Sequence, residues 1–242
     1  MSDLVTDTGE VELELPLQIS LASDQMPDSV STGEDLPGIG FWTSSAKRVF
    51  DVVCSALLLA VLSPVFLIIG IVLLRSGRPI LFAQERAGRG GRPFRCLKFR
   101  TMIPGAEEIL ERLLQQDPAL RREWQQNQKL KVDFRITRLG ALLRKWSLDE
   151  LPQLWNVLCG DMSLVGPRPA LLDQMHLYGS SARYYYAVRP GITGPWQVGA
   201  RGNGFERRIE LDCLYVRELG FWKDLGLLLR TIPAVLSARG AK

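Results

Sequence analysis

The chain has 242 residues, with 30 basic and 26 acidic side chains, four cysteines and one histidine. That is enough for one ordinary domain with a real core plus an appendage. The lone His176 argues against a histidine-based triad or metal cage. Cys54, Cys96, Cys159 and Cys213 lack the close spacing of zinc or redox motifs, which fits a reducing compartment.

Residues 1–46 hold nine acidic residues and no Lys or Arg, which leaves 30 basic against 17 acidic in the remainder, a formal +13. A body this basic expects anionic partners: phosphates, nucleic acid or an anionic membrane surface. A solvated basic surface has the same composition. Residues 1–45 read as an acidic, disordered tail in which only Val11–Leu17 alternates like a short strand. With no basic start and no apolar stretch, the tail is not a signal peptide.

Val52–Leu74 is a run of 23 residues without a charge. As a helix it measures roughly 35 Å, about the thickness of a bilayer's hydrocarbon core. Pro64, after Ser63, lies near its middle, where proline removes a donor and kinks or breaks a helix. Lys47 and Arg48 precede the run, and Arg75 and Arg78 follow it. Positive residues favour the cytoplasmic side, so both ends can lie there, as in a re-entrant hairpin over residues 46–78. A kinked spanning helix satisfies the same residues.

Ile80–Gln84 and Phe94–Phe99 are predicted strands joined by the basic, glycine-rich loop Ala87–Arg92, which is not a phosphate-binding P-loop because no Gly-Lys-Ser/Thr follows. Pro104 opens a predicted helix with Glu107 and Glu108 in its first turn and Ile109, Leu110, Leu113 and Leu114 on its apolar face. Pro118 interrupts it, and a polar helix containing Trp124 follows. Arg207–Leu219 has helical spacing. Phe221–Leu236 mixes Trp222, Lys223 and Arg230 with leucines, which suits a helix in the membrane interface or an amphipathic helix on a soluble core.

The densest cluster of chemistry-bearing residues is Leu142–Asn156. Pro152 belongs in a helix's first turn, which puts Asp149 and Glu150 at a helix N-terminus. Asp149 is then a cap, or Ser147 and Glu150 form a capping box; the spacing allows either. A surface ion pair with Arg144 and Lys145 is the structural alternative. The functional one is that free amides and positive potential suit a phosphate, and that a carboxylate there can attack phosphorus to form an acyl phosphate. Magnesium, held by Asp149 and Glu150 with substrate phosphates, would screen the repulsion. Candidate phosphate contacts are Lys98, Arg100, Arg144, Arg189 and Arg168, the last held stiffly between Pro167 and Pro169.

These segments resemble the bacterial sugar transferases, the monotopic phosphoglycosyl transferases, from about Lys47 to the end. The matching stretches are Lys47–Asp51, Ser63-Pro64, Gln84–Gly88, Lys98–Met102, Ser147–Gln153, Gly160–Pro169, Arg189–Gly194 and Trp196–Val198. The resemblance implies an α+β, mostly helical protein: a re-entrant membrane helix broken at Ser63-Pro64, and a small catalytic domain (79–242) with a short β-hairpin and interfacial amphipathic helices. It implies that Asp149 attacks the sugar-bearing phosphate of a UDP-sugar, glucose or galactose, and releases UMP. The sugar phosphate then passes to polyprenyl phosphate, with Glu150 assisting as base or magnesium neighbour. Lys98, Arg144 and Arg168 match positions expected to contact phosphate or nucleotide. Arg201, in the unusually glycine-rich stretch Val198–Phe205, is a weaker carry-over. The implied location is the bacterial inner membrane, with the catalytic domain on the cytoplasmic face, membrane lipid as a partner, no nucleic acid, and self-association left open. The chain looks like the small, one-domain kind that starts exopolysaccharide synthesis. Two other readings compete: a membrane-anchored basic protein that binds anionic lipid or nucleic acid, and an enzyme that transfers sugar without a covalent intermediate.

Overall fold

In the computed structural model, residues 45–127, 130, 132–199 and 204–237 are described. The acidic tail, the strand expected at Val11–Leu17 and Arg201 lie outside them. The first element, α1 (Ala46–Arg75), is one 30-residue helix that runs through Pro64 without interruption. It is the one helix among the described residues long and apolar enough to cross a membrane.

α1 is inverted relative to a soluble helix. Its buried positions include Lys47, Asp51 and Ser55, one turn apart on a single face. Val49, Leu57, Val61, Leu67 and Ile68 are each 60% exposed or more. Water penalises that arrangement, since each exposed aliphatic side chain forgoes about 1.5–3 kcal/mol of burial. The polar face is fully used: Lys47 Nζ donates to Asp224 Oδ2 at 2.6 Å, and Asp51 Oδ1 accepts from the Leu164 amide at 3.1 Å. Arg48 donates to the carbonyls of Val157 and Leu158. At the other end Ile69 and Leu73 pack with Phe99 and Leu143. Between the ends, Leu59 and Leu62 pack against the main core and Val65 and Phe66 against the Phe99 cluster, so α1 docks on the domain along one stripe while its other side stays exposed.

The predicted hairpin is present. β1 (Leu81–Ala87) pairs antiparallel with β2 (Pro93–Phe99), with Phe82 opposite Lys98, Gln84 opposite Cys96 and Arg86 opposite Phe94. Gly90 and Gly91 take positive φ in the loop, which glycine does without steric cost. β1 continues three residues past the predicted strand because the register carries pairing up to the turn.

α2 (Ala106–Gln116) begins two residues after Pro104, with Glu107 and Glu108 in its first turn, and α3 (Pro118–Asn127) starts at the predicted break. α4 (Arg138–Lys145) is capped by Thr137, whose side chain accepts from the Gly140 amide. A 3-10 turn (Leu148–Glu150) leads into α5 (Gln153–Cys159). A parallel pair, β3 (Ser163–Val165) with β4 (Gly191–Thr193), was not anticipated; three-residue strands carry too little alternation to be read from sequence. Gly191 is required at this junction, since a Cβ there would lie 2.0 Å from the Gly166 amide nitrogen.

A 3-10 segment (Leu172–Ser181), α6 (Ala182–Ala187), α7 (Pro195–Gly199), α8 (Phe205–Arg217) and α9 (Phe221–Leu236) complete the order. The main core gathers Leu154, Val157, Met162, Val165, Tyr215 and Val216 beneath the hairpin residues Phe94 and Cys96. α9 buries Asp224 and Leu227 and leaves Trp222, Leu229, Ile232 and Leu236 exposed.

Candidate active site

The dyad sits in the 3-10 turn before α5, one step earlier than the helix start suggested by Pro152. Ser147 leads into the turn at φ +54°, the only non-glycine residue with positive φ among those described. Neither capping arrangement expected from spacing forms. Ser147 makes no side-chain capping bond, and the cap position of α5 is occupied by Pro152. Instead the Glu150 amide donates to the Ser147 carbonyl at 3.2 Å, which turns both carboxylates back toward β2.

β2 supplies Lys98. Its Nζ donates to Glu150 Oε1 at 2.7 Å and lies 4.0 Å from Asp149 Oδ2. Arg168 Nη2 donates to the same Glu150 oxygen at 3.1 Å. Arg144 of α4 is anchored by donating from Nε to Thr101 Oγ1 at 2.8 Å. Gly140 makes that contact possible, because a Cβ there would lie 2.0 Å from the Thr101 carbonyl oxygen. Asp149 is 8% exposed. Burial pushes its carboxyl pKa up, Lys98 pulls it down, the neighbouring Glu150 charge raises it, and Arg144 lowers it. The Glu150 carboxylate holds the Arg168 guanidinium more firmly charged than usual.

Arg168 rests in a stiff frame. Pro167 is fully buried, and its carbonyl accepts from the Gly191 amide at 2.7 Å. The Pro169 carbonyl accepts from Arg86 at 3.3 Å, and the Arg168 carbonyl from Arg208. The Arg168 guanidinium carbon lies 5.7 Å from the centre of the Trp196 ring.

Of the predicted cations, the structure brings Lys98, Arg144 and Arg168 to the dyad. Arg100 instead donates to the carbonyls of Ser76 and Gly77, just past the end of α1, at 3.0 and 2.9 Å. Arg189 donates to the Gly160 carbonyl at 2.7 Å, just past the end of α5. Both satisfy carbonyls that a helix end leaves without partners. Ser63 bonds its hydroxyl to the Ala60 carbonyl within α1, at 2.8 Å.

Two cleft residues were missed. Arg86 and Gln153 line a small cleft with Cys96, Lys98, Glu150 and Arg168. Arg86, Cys96 and Lys98 share one face of the hairpin, because cross-strand partners point the same way. That face was available from the strand register once Lys98 had been chosen. Gln153 closes the matching stretch Ser147–Gln153, which was its available signal, as Gln84–Gly88 was for Arg86.

The site is a buried carboxylate beside a cation-lined cleft, on a domain that also carries a long helix with an exposed apolar surface. The chain belongs to the bacterial sugar transferase family, which matches residues 42–238. It is 45% identical over 196 residues to a UDP-galactose-lipid carrier transferase of Erwinia amylovora, and 44% identical over 196 residues to an undecaprenyl-phosphate galactose phosphotransferase of Salmonella typhimurium. Each match covers 81% of this chain and 41% of the relative, so the chain spans about two fifths of those proteins. It is also 43% identical over 198 residues to the exopolysaccharide production protein ExoY of Sinorhizobium fredii, covering 81% of this chain and 88% of that one.

Proposed function

We propose that the protein transfers a hexose 1-phosphate, galactose or glucose, from a UDP-sugar to undecaprenyl phosphate at the cytoplasmic face of the bacterial inner membrane, as the first membrane step of exopolysaccharide synthesis. The observation that carries the proposal is Asp149: a buried carboxylate beside Lys98, in a site where three further arginines outnumber the second carboxylate. The names of the relatives supply the substrate class.

In this reading an Asp149 oxygen attacks the sugar-bearing phosphorus. The bond from that phosphorus to the bridging oxygen breaks, and UMP leaves with the electron pair. Lys98 and Arg168 sit where they would neutralise the diphosphate, and donors fixed in advance cost little reorganisation at the transition state. Lys98 also favours the ionised Asp149 that attack requires. A phosphate oxygen of the lipid carrier then attacks the same phosphorus and expels the Asp149 carboxylate, with Glu150 placed to accept a proton from the lipid phosphate. Asp149 and Glu150 offer two hard oxygen donors, and among the described residues no group of three or more His, Cys, Asp or Glu forms a metal cage. That donor set fits magnesium bound jointly by protein and substrate phosphates. When bound, the ion would neutralise phosphate charge.

The exposed apolar side of α1 supports contact with lipid, and a re-entrant placement requires this helix, continuous through Pro64 here, to bend at Ser63-Pro64 in the leaflet. The exposed apolar face of α9 would then lie in the interface. Purified protein, incubated with magnesium and radiolabelled UDP-galactose or UDP-glucose but no lipid, should retain label and release UMP. Asp149→Asn should do neither while still partitioning into membranes. UMP release by Asp149→Asn at the wild-type rate would overturn the assignment.

A further inference from the structure

We infer that Arg208 and Asp212 of α8 position Arg168, with Trp196 as the platform between the two guanidinium groups. The inference rests on the cleft being a diphosphate site, as proposed above. It adds residues that touch neither the dyad nor the cleft.

Arg208 and Asp212 lie one helical turn apart and are 7% and 1% exposed. Arg208 donates from Nη2 to the Arg168 carbonyl. Its guanidinium carbon lies 5.9 Å from the centre of the Trp196 ring, and that of Arg168 lies 5.7 Å from the same centre. Asp212 is held by a 2.8 Å hydrogen bond from the Tyr178 hydroxyl to Oδ2, and that oxygen is 3.7 Å from Arg208 Nε.

As a stabilising device this pair is poor. Arg208 Nε and Asp212 Oδ1 are buried without a hydrogen-bond partner. Buried ion pairs with incomplete bonding are commonly matched or bettered by apolar residues of similar volume. What the pair does supply is direction. The Pro167–Pro169 loop cannot pivot while its middle carbonyl is bonded to α8, and Arg168 cannot drop away while its guanidinium rides on Trp196. A phosphate clamp displaced by about 1 Å can lose about 10²-fold in rate, so a remote anchor of this kind is worth its poor energetics.

The test is a double-mutant cycle between the pair and the residue it is said to serve. The combined change Arg208→Met with Asp212→Leu removes both charges and keeps the volume. It should lower kcat/KM for UMP release about tenfold or more, with the loss of melting temperature limited to that of leaving the Tyr178 hydroxyl without its acceptor. In an Arg168→Ala background the same change should alter kcat/KM less than twofold, because nothing is left to position. UDP affinity, measured by calorimetry on the same four proteins, should show the same non-additivity without turnover. Arg208→Lys, which keeps a charge opposite Asp212, should fall between wild type and the apolar pair, and it carries the cycle if the apolar pair does not fold. Equal fold losses with and without Arg168, or a loss under twofold in the parent, would overturn the inference. A closed cycle in UDP affinity with no UMP release from any UDP-sugar would instead overturn the transferase reading and leave the positioning intact.

Discussion

Lys98 and Arg100 stand two residues apart on one segment, yet they serve two regions built on opposite electrostatic terms. Along the α1 seam each cation bonds to a fixed acceptor, although Arg100 Nη1 is buried without one. Lys47 meets Asp224, Arg48 meets the carbonyls of Val157 and Leu158, and Arg100 meets those of Ser76 and Gly77. Around the dyad, four cations (Arg86, Lys98, Arg144 and Arg168) face two carboxylates, and two of the four bond to a single Glu150 oxygen. Cations in balance hold elements together. Cations in excess, beside a cleft, fit the proposed function by keeping charge available for an arriving diphosphate.

The two regions should therefore fail differently when one lysine is removed from each. Lys47→Met takes the cation away from buried Asp224, whose Oδ1 also accepts from the Tyr215 hydroxyl at 2.8 Å. Breaking such a buried pair costs about 3–5 kcal/mol, and thermal unfolding in detergent should show it, while the folded fraction keeps its rate of UMP release. Lys98→Met should do the reverse, losing about 10²-fold or more in rate with a much smaller change in melting temperature. If Lys47→Met slows the folded enzyme as strongly as Lys98→Met does, the division between structural and functional cations fails.

That division was not legible in the sequence. The hairpin, the helix over Phe221–Leu236 and the dyad could be read because each has a local signal: strand alternation around a glycine loop, apolar spacing, and acids ahead of Pro152. A cation's partner is tertiary. Arg100 and Arg189 carry the same charge as Lys98 and Arg168, but they follow the ends of β2 and α6, where their acceptors are carbonyls just past the ends of α1 and α5. Arg86 was passed over for the opposite reason, since its role follows from pairing with Phe94 and not from its neighbours in the chain. The inversion of α1 was half visible: Lys47, Asp51 and Ser55 have helical spacing, but uniform apolar content elsewhere hides which face turns inward.

The cleft's charge imbalance also sets a pH response. In the proposed mechanism Asp149 must be ionised to attack, and burial raises its pKa above the ordinary aspartate value. The rate of UMP release should fall as pH drops through that raised value, so the acid limb lies above that of an exposed aspartate. Glu150 raises the value and Lys98 lowers it. Glu150→Gln should therefore move the limb to lower pH and Lys98→Met to higher pH, read from the pH dependence of kcat/KM. Movement of both limbs in the same direction would show that Asp149 is not the group being titrated.

The smallest effect concerns Ser147, where the backbone and not the side chain does the work. At φ +54° a serine pays a steric cost of about 1–2 kcal/mol, and its side chain makes no capping bond in return. What the position delivers is a carbonyl for the Glu150 amide and a reversal that faces both carboxylates toward β2. Glycine adopts that backbone freely but loses about 0.5–1 kcal/mol through unfolded-state entropy, so Ser147→Gly should leave stability unchanged or raise it by up to about 1 kcal/mol, with transfer near the wild-type rate. Ser147→Val puts a β-branched residue at the same φ and should lower both stability and rate. If Ser147→Gly slows transfer as much as Ser147→Val does, the hydroxyl acts on the substrate, and the turn is more than a bracket for the dyad.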